Sequence, residues 1–426
     1  MNTTSTASAA ESGPQQGTGS VRHDTEVIGL IGLAHGTSHF YHLLLPPLFP
    51  WLMADFGLSF TQAGLLMSVF FVVSGLGQAV AGFVVDRIGA QRALFGGLAL
   101  LSASALLLGL AQSYPMLMLV VVIAGLGNCV FHPADFTLLN HNVAPARLGH
   151  AFSVHGLIGN LGWAAAPVFM VGIASWAGWH AAAFAAASVA ALVFAVLWWR
   201  RDTIADVRHN AEQQAAAAQA PFAFLSSSAV WMCFAFFFLT TMAFGILQNY
   251  APAIFERLNG LSLSLATAAL TAYLLGSAAG MVAGGFLAAR TRNNDHLIAA
   301  ALAGSAVMAL LLASGWLGGD AVLPLMALMG LGVGMAGPSR DLLIRKAAAS
   351  RFGKTSFGRV YGFVYSGLDA GQALAPLLIG PWLDAGHFAL PLAAVAGLQV
   401  AALFTALRVG RDLRYSNSHV LSRRAA

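Results

Sequence analysis

Residues 77–87, GQAVAGFVVDR, are repeated in pattern 203 positions later as GMVAGGFLAAR at residues 280–290. Two further stretches are repeated in the same order, GLGNCVFHP at 125–133 as GLGVGMAGP at 330–338, and GHAFSVHGLIGNLGWAAAP at 149–167 as GRVYGFVYSGLDAGQALAP at 358–376. One such match between glycine- and alanine-rich segments is expected by chance. Three matches in one order at nearly one shift indicate an internal duplication, so the sequence predicts two halves of the same architecture.

The composition indicates that lipid surrounds much of the chain. Hydrophobic residues make up 58% of the 426 residues and charged residues only 9%, whereas an ordinary soluble domain has roughly 25% charged residues. A soluble chain of this length exposes more polar surface than these residues supply. The sequence therefore predicts an integral, multi-pass membrane protein.

Twelve apolar runs are long enough to cross a bilayer, which takes about 20 residues in a helix. The runs start near Val27, Thr61, Arg92, Pro115, Gly149, His180, Ala229, Leu265, His296, Ala321, Phe357 and His387. The longest polar break, residues 200–221, separates six runs from six. We therefore predict an all-α membrane protein with twelve transmembrane helices in two parallel six-helix repeats, whose binding site lies between the repeats near the bilayer midplane.

The expected organisation of the chain follows from these runs. It comprises a disordered N-terminus at 1–24, a six-helix bundle at 25–200, a linker at 201–221, a second bundle at 222–410 and a C-terminal tail at 411–426. The N-terminus is rich in serine, threonine, alanine and glycine, a composition typical of disorder. It lacks the pattern of a signal peptide, so the first apolar run is expected to stay as an uncleaved helix.

The basic residues indicate the orientation. Of the 21 lysines and arginines, nineteen fall on one side of the predicted membrane, Arg257 falls on the other and Arg340 lies within a span. Loops rich in lysine and arginine stay in the cytoplasm, so both termini and the linker are expected there, in a bacterial inner membrane. The net charge of +5 comes from short clusters between apolar runs, which favours a topology signal over a nucleic-acid surface. We expect a monomer.

Soluble-enzyme chemistry finds no support in the sequence. A P-loop pattern for nucleotide phosphates is absent from the sequence, and the glycine runs follow membrane spans instead of opening a βαβ unit. The two cysteines, Cys129 and Cys233, both lie in apolar segments, which argues against a disulfide framework. We expect neither an enzyme nor a resident cofactor or metal.

The charged turn GFVVDRIGAQR, residues 82–92, resembles the G-x-x-x-D-R-x-G-x-x-R signature of the major facilitator superfamily. The resemblance implies the major facilitator fold, secondary transport, and a cytoplasmic gate formed by Gly82, Asp86, Arg87, Gly89 and Arg92. Gly82 allows close helix packing, Asp86 accepts hydrogen bonds from a helix N-terminus or an arginine, and the two outer arginines hold the turn. In the second half Ala289 replaces the acid, so the first half is expected to carry most of this latch.

A narrower resemblance is to the fosmidomycin resistance protein group within that superfamily. It rests on His35, FPWLMADFGLSFTQAG at 49–64, VFHP at 130–133 and GNLG at 159–162. The resemblance implies proton-driven export of small anionic or amphiphilic compounds. The chain departs from the pattern of the group at two positions where that pattern often has an acid. Here His39 stands at one and Ala134 at the other, and Asp135 follows one place later, about 100° around a helix.

Polar residues at membrane depth are the candidate binding and proton-carrying groups. An ionisable group near the bilayer centre costs roughly 2.5–3.5 kcal/mol on insertion scales, so each one suggests a function. The candidates are His35, His39, His132, Asp135, His155, Asn160, Gln248, Asn249, Arg340, Asp341 and Asp369. Most lie on the first, fourth, seventh and tenth spans, which line the central cavity in the resembled fold, or on the adjacent fifth and eleventh. A structural alternative is open for each, since a neutral histidine can simply bond a neighbouring carbonyl.

His35, His39 and His42 share one face of the first span, at positions i, i+4 and i+7. The ordinary histidine pKa near 6.5 suits a proton switch, so we predict that His39, opposite His132, carries the coupled proton. His35 then passes it on, and His42 packs. Arg340, with Asp135 and Asp369, is expected to form the charged part of the cavity and to attract an anionic substrate.

These residues favour a secondary transporter, and the resemblance to the fosmidomycin resistance protein group implies that it exports a small organic or drug-like solute, anions included, in exchange for protons. Three alternatives remain open from the sequence alone. One is a divalent metal transporter that uses His35, His39 and His132, because histidines at i and i+4 suit zinc. The others are proton-coupled solute uptake and a non-transporting membrane receptor.

The orientation is tested by reporter fusions placed after Pro221 and at Ala426. Because nineteen of the 21 basic residues lie on one side, we expect both fusions to be active only as cytoplasmic reporters. A periplasmic signal from either fusion contradicts the twelve-span topology.

Overall fold

A computed structural model describes residues 20–206, 226, 228–291, 293–352 and 357–425 of the chain. The side chains of 229, 341–352, 357–362 and 412–425 fall outside this description. Within the described ranges all regular structure is helical, without a strand. The predicted all-α fold class is confirmed.

Fourteen α-helices cover most of the described residues. They are α1 Val21–His42, α2 Phe49–Phe56, α3 Phe60–Ile88, α4 Ala90–Gly109, α5 Tyr114–Asn128, α6 Phe131–Asn142, α7 Leu148–Ala177, α8 Trp179–Trp199, α9 Ser228–Asn259, α10 Leu263–Arg290, α11 Asn294–Ala313, α12 Val322–Phe352, α13 Phe357–Asp384 and α14 Leu390–Ala425. α1 and α2 together form the first span, and α5 and α6 form the fourth.

By length and hydropathy, 10 helices or helix pairs of the described chain qualify as membrane spans. α1 and α13 complete the twelve but are not among these 10. α1 starts with Arg22, His23 and Asp24 and carries three further histidines, which lower its hydropathy.

The two halves pair their helices in the same way, as the sequence repeat predicts. In the first half α1 packs on α7, α3 on α5 and α6, and α4 on α8. In the second half α9 packs on α13, α10 on α12, and α11 on α14. The pairs correspond one to one, so the duplication is parallel.

The first helix begins earlier than predicted. Ser20 caps it by accepting a hydrogen bond from the His23 backbone nitrogen at 3.2 Å. Asp24 is buried, and its Oδ2 accepts hydrogen bonds from Ala144 N at 3.0 Å and Arg147 Nε at 2.6 Å. The expectation of disorder through residue 24 is therefore wrong for residues 21–24, because this ion pair holds the first turn. Residues 1–19 lie outside the described chain.

The first span is broken near the middle of the fold. α1 ends at His42, a 3-10 turn follows at Pro46–Leu48, and α2 resumes at Phe49. The prolines of this segment lack an N–H and cannot continue the α1 ladder. His42 lies beside Asn128, the middle residue of the 29-residue fourth span, so the end of α1 is placed at mid-depth.

The fourth span bends at the same depth. α5 ends at Asn128 and α6 begins at Phe131, because Pro133 has no N–H to donate to the carbonyl four residues earlier. Two interrupted helices thus meet at mid-depth in the first half. Interrupted helices at the midplane are where substrates and coupling ions bind in many secondary transporters.

We call the end of the bundle that holds Val21, Arg87 and Arg290 the basic end, and the other the opposite end. Between mid-depth and the opposite end, hydrogen bonds join the halves. Ser68 Oγ donates to Ala373 O at 2.6 Å, and Tyr250 Oη donates to Phe60 O at 3.1 Å.

Asp384, the last residue of α13, adds a third contact between the halves. We call these contacts, made by Ser68, Tyr250 and Asp384, the seal. Its carboxylate accepts bonds from Phe60 N at 2.7 Å, Thr61 N at 3.0 Å and Thr61 Oγ1 at 2.5 Å, all at the start of α3. A carboxylate is stabilised at a helix N-terminus. The structure is therefore closed at the opposite end.

At the basic end, the start of the predicted linker packs onto the first half. Residues Arg201–Ile204 form a 3-10 turn, and Gln91 Nε2 donates to Arg201 O at 2.5 Å. Asp206 Oδ1 accepts a bond from Gln91 N at 3.0 Å, at the start of α4. Gly89 has φ 95° and leaves no side chain where the Asp206 carboxylate lies, so glycine is needed here on both counts. Residues 207–221 of the predicted linker lie outside the described chain.

The predicted C-terminal tail does not begin at 411 as a separate segment, because α14 continues to Ala425.

The Asp384 contact generates a test of the seal. Asp384→Asn removes the charge from three hydrogen bonds at an exposed helix N-terminus, and we expect about a fivefold shift toward opening at the opposite end, the effect of about 1 kcal/mol. The measurement is the labelling rate of a cysteine introduced at the buried position Ala373, whose backbone carbonyl still accepts the Ser68 bond, in a protein whose Cys129 and Cys233 are replaced by alanine. Asp320→Asn, an exposed acid of the same end, serves as the control, and an unchanged labelling rate in Asp384→Asn contradicts the seal.

Candidate functional site: the histidine cluster

Five imidazole rings meet at mid-depth in the first half, on α1, α6 and α7. We define the histidine cluster as His35, His39, His42, His132, His155 and the carboxylate Asp135. His35 is central, since its ring centroid lies 3.6 Å from that of His155, 4.2 Å from that of His39 and 5.2 Å from that of His132. The sequence predicted that these residues share a cavity, and the structure brings them into one contact group.

Asp135 is the buried charge of the cluster, with 0% exposure. Its Oδ2 lies 3.1 Å from His155 Nε2 in a hydrogen bond. The same oxygen lies 3.2 Å from His35 Nδ1, but that ring N–H does not point at it, so this second contact is electrostatic. Asp135 Oδ1 finds no hydrogen-bond partner among the described residues. The carboxylate is therefore held by two rings from two different helices.

His42 is held in one neutral form. Trp163 Nε1, which can only donate, lies 3.2 Å from His42 Nδ1. That nitrogen must therefore lack a proton, and His42 Nε2 carries it and donates to Asn128 Oδ1 at 3.1 Å. Asn128 Oδ1 also accepts from Ser38 Oγ at 2.6 Å, and Asn128 Nδ2 donates to Ser74 Oγ at 2.8 Å. This network orients His42 and covers the side of the cluster that faces α3.

Glycines of the GNLG stretch make room for the cluster. A Cβ on Gly159 of α7 would lie 2.8 Å from His39 Nδ1 and 2.9 Å from His35 Nε2. One turn later, a side chain on Gly162 would overlap the backbone carbonyl of Gly36. The two helices approach closely at this point because neither residue has a side chain, and small residues allow such contacts in membranes.

The cluster is suited to holding and passing a proton. A carboxylate buried among imidazoles provides a favourable place for one positive charge, and Coulomb interactions are strong where water is excluded. His132 is only partly buried and stacks on Phe136 at a centroid distance of 5.9 Å. It thus extends the cluster toward the more exposed surface of α6.

A metal ion was expected, in the alternative interpretation, to use His35, His39 and His132. Of the described residues, the structure instead places the donor atoms of His35, Asp135 and His155 within 4.8 Å of one another. The alternative ligand set is therefore corrected. In this set Asp135 Oδ2 makes a hydrogen bond with His155 Nε2 at 3.1 Å and lies 3.2 Å from His35 Nδ1.

Three predicted amide residues lie near the cluster. Gln248 Nε2 of α9 donates to His42 O at 3.1 Å and so connects the second half to the end of α1. Asn160 Nδ2 donates to Gly156 O at 3.0 Å, 3.9 Å from Met281 Sδ of α10. Asn249 Nδ2 bonds Gly245 O within its own helix at 2.7 Å, a local role.

Arg340 lies elsewhere. Its guanidinium carbon is 4.5 Å from the ring centroid of Phe237, and the side chain lines a small cavity with residues of α9, α11 and α14. The expected grouping of Arg340 with Asp135 and Asp369 is not found, because it faces α9 and α14 and not α6. The Asp341 side chain lies outside the described residues.

Asp369 lies where α13 crosses α3. A Cβ on Gly75 would lie 2.8 Å from the Asp369 Cβ, so this carboxylate occupies the contact between the halves.

The predicted gate motif is arranged around the turn from α3 to α4. Asp86, Arg87 and Arg92 are exposed, and Asp86 makes no hydrogen bond or ion pair with the described residues. No described atom lies within 4 Å of a Cβ placed on Gly82, so its predicted packing role is not used in this state. Gly89 does have a structural role in this state, because it leaves space for the carboxylate of Asp206.

Sequence reasoning missed Trp163, Asn128 and Gln372. Trp163 stacks on His39 at 4.2 Å, and Gln372 Nε2 donates to Gln248 Oε1 at 3.1 Å. They were missed because tryptophan and amide side chains are common in helix packing and do not by themselves indicate a functional site. For Asn128 the signal was its place in the repeated GLGNCVFHP stretch.

The comparisons identify a family. A family model described as Major Facilitator Superfamily matches residues 31–376. The fosmidomycin resistance protein of Escherichia coli is 29% identical over 168 residues, 39% of this chain and 41% of that protein. A probable nitrate/nitrite transporter of Mycobacterium tuberculosis is 28% identical over 386 residues, 85% of this chain and 91% of that protein. The chain thus aligns with less than half of the first relative and with most of the second.

Solved structures share the fold. A bacterial homologue of the human lysosomal transporter Spinster, in an inward-facing and unoccupied conformation, gives a TM-score of 0.71 at 14% identity and covers 95% of this chain and 99% of that one. The nucleoside transporter NupG gives a TM-score of 0.72 at 12% identity and covers 90% and 99%. At this identity the likeness shows the fold alone.

The glycine contact of the cluster is tested by Gly159→Ala. The added Cβ lies within 2.9 Å of two rings, and we expect a loss of about 1–3 kcal/mol in stability, as for overpacked cores. The measurement is thermal unfolding of the purified protein in detergent. Gly172→Ala on the same helix has no atom within 4 Å and should unfold at or slightly above the parent temperature. Equal behaviour of the two variants contradicts the close contact.

Proposed function

The chain belongs to the Major Facilitator Superfamily, and on that premise we propose that it is a proton-coupled antiporter that exports a small organic or drug-like solute. Membership of this family makes it an integral multi-pass membrane protein of the transporter class. Proton coupling, direction and substrate are our proposals.

The observation that carries the proposal is the buried carboxylate Asp135 between His35 and His155, with its Oδ2 at 3.2 Å and 3.1 Å from their ring nitrogens. A group of this kind at mid-depth is expensive to keep in a membrane unless it has a function.

In the proposed cycle the cluster exchanges its proton for the solute. When the bundle is open at the opposite end, a proton enters and resides between Asp135 and its two histidines. When the bundle is open at the basic end, the solute binds in the cavity and the proton leaves past His132, the partly exposed member. The two occupants exclude each other because each stabilises a different state, and this gives antiport.

The proton site in this proposal differs from the one expected from the sequence. His39 was expected to carry the proton, but its ring stacks on Trp163 and it has no contact with the carboxylate in the described contacts. His35 occupies the position next to Asp135. We therefore assign the resting place of the proton to the group His35, Asp135 and His155.

The names of the two relatives support a small solute. One refers to resistance to fosmidomycin and the other to nitrate and nitrite, and this chain is proposed to handle a compound of comparable size, anions included. Export is proposed from the resemblance to the first. We propose that both termini lie in the cytoplasm, on the strength of the basic asymmetry. We further propose a monomer in a bacterial inner membrane.

A resistance screen identifies the substrate. The chain is expressed in a drug-sensitive host and scored for resistance to a panel of compounds, with and without a proton uncoupler. Resistance that the uncoupler abolishes supports export by antiport. Increased sensitivity to a compound indicates uptake instead.

Asp135→Asn then tests the proton site, in liposomes that contain the purified protein and the compound found in the screen. We expect accumulation driven by a pH gradient to fall to the level of protein-free liposomes, while exchange of labelled for unlabelled compound continues. The asparagine keeps the size of the side chain but cannot take up the proton. Asp320→Asn, an exposed change at the opposite end, should behave as the parent.

Retention of pH-driven accumulation by Asp135→Asn refutes the assigned proton site. If the parent instead binds micromolar zinc, transports it, and loses both properties in His155→Ala, the metal interpretation replaces the proton interpretation.

A further inference from the structure

We propose that Trp163 is the residue that transmits the protonation state of the histidine cluster to the second half of the protein. Trp163 does not contact the proton site itself and is therefore a positioning residue. The inference rests on the proposed function, since the proton held by His35, Asp135 and His155 must pass to His39 or His42, the two rings that Trp163 contacts. It adds the route by which that transfer opens the opposite end.

Trp163 touches both the cluster and the second half. Its ring stacks on His39 with 4.2 Å between centroids and 25° between planes. Its indole N–H donates to His42 Nδ1 at 3.2 Å. On the other side its ring lies 4.9 Å from the ring of Phe244 on α9. These three contacts place one rigid side chain between two histidines of the first half and an aromatic residue of the second.

The hydrogen bond to His42 responds to charge. An indole nitrogen has no acceptor capacity, so the bond exists only while His42 Nδ1 lacks a proton. When His42 takes up a proton, two N–H groups face each other and the bond is lost. Asn128 Oδ1 still accepts the His42 Nε2 proton in that case, so the ring of His42 stays in place and the indole is the group that moves.

Protonation has the opposite effect on the stack between Trp163 and His39, which it strengthens. A positive charge on His39 is attracted to the face of an indole ring, the best aromatic partner for a cation. A proton on His42 therefore breaks the hydrogen bond of Trp163, and a proton on His39 strengthens its stack. Either position of the proton favours movement of the indole away from His42 and toward His39.

The second half receives this movement at two neighbouring points of α9. Phe244 packs against the Trp163 ring, and one turn later Gln248 Nε2 bonds the carbonyl of His42 at 3.1 Å. That carbonyl ends α1, where the helix offers it no partner of its own. Gln248 in turn accepts from Gln372 of α13, the helix that ends in the Asp384 seal. A displaced indole thus acts on the helices that close the opposite end.

The titratable groups around Trp163 and its two histidine partners come from three helices. They are His35, His39 and His42 on α1, His132 and Asp135 on α6, and His155 on α7. The described residues of α3, α5 and α9 that contact His42 or Trp163 are Phe70, Phe71, Asn128, Phe244 and Gln248, none of which titrates. Asp369 on α13 lies farther out, against Gly75 of α3.

The test measures the conformation directly, so it needs no substrate. Cys129 and Cys233 are replaced by alanine, and spin labels are attached at Gln112→Cys and Ala385→Cys, exposed positions of the first and second half at the opposite end. Distances are measured by pulsed electron resonance in lipid nanodiscs between about pH 8 and about pH 5, a range that brackets the ordinary histidine pKa. In the parent we expect the long-distance population to rise about fivefold at the lower pH, the ratio that one buried hydrogen bond controls.

Trp163→Phe keeps a ring against His39 but removes the N–H, and we expect its distance distribution to be nearly independent of pH. The matched control is Trp179→Phe. Trp179 also donates its indole N–H, to Asp55 Oδ2 at 2.6 Å, and also stacks on a histidine, His180 at 3.7 Å, but it lies outside the cluster. This control should respond to pH as the parent does. If Trp163→Phe does not fold, Trp163→Tyr is measured in its place.

A parent-like pH response of Trp163→Phe overturns the proposal, and so does loss of the response in both tryptophan variants, which indicates a general structural effect. A parent that shows no pH response also overturns it. Transport driven by a pH gradient is measured on the same parent preparation, so a failure of proton coupling is distinguished from a failure of the Trp163 route.

Discussion

A carboxylate with no solvent exposure, placed midway through a membrane, must be either neutralised or bonded on every side, and Asp135 organises the first half around that requirement. It draws His35 from α1 and His155 from α7 to the same oxygen. Rings of this size fit between α1 and α7 only because Gly159 has no side chain. The breaks of the first and fourth spans lie at the same level, where uncompensated backbone groups meet polar side chains and not lipid. The polar composition, the helix packing and the helix breaks of the first half thus all accommodate one buried carboxylate.

The contact between the halves has a different character. Besides the packing of α3 on α13 and of α7 on α10, it includes single hydrogen bonds from Ser68, Tyr250 and Gln248 and one exposed carboxylate at a helix start. Each bond contributes about 0.5–1.5 kcal/mol net, so no single contact locks the structure. A seal made of several weak bonds is broken by a modest change at one of its ends. The rigid part of the protein is therefore the interior of each half, and the switchable part is the surface between them.

Sequence reasoning predicted the parts of this structure that follow from periodicity and composition. The twelve-span, two-repeat fold is confirmed, since helix length and apolar content are read directly along the chain. The histidines on one face of α1 were found to meet His132 and Asp135, because helical spacing sets which side chains share a face.

The failures concern contacts between distant segments. Arg340 was placed in the cavity from its position in the repeat, but its side chain faces Phe237, and the repeat does not encode the direction of one long side chain. His39 was preferred over His35 because of the residue type expected there, whereas proximity to Asp135 depends on how α1 and α6 rotate against each other. The N-terminal turn was missed because Arg147, its partner, lies more than a hundred residues away.

The capping of α4 by Asp206 has a consequence for how the molecule can be divided. The first residues after α8 belong physically to the first half, since Gln91 holds them and Gly89 leaves space for them. Two separately expressed fragments that reassemble in the membrane would therefore need the cut downstream of Asp206. A cut directly after Trp199 would separate Asp206 from the first half. The turn between α3 and α4, which carries the charged signature, would then lack the carboxylate that caps the start of α4.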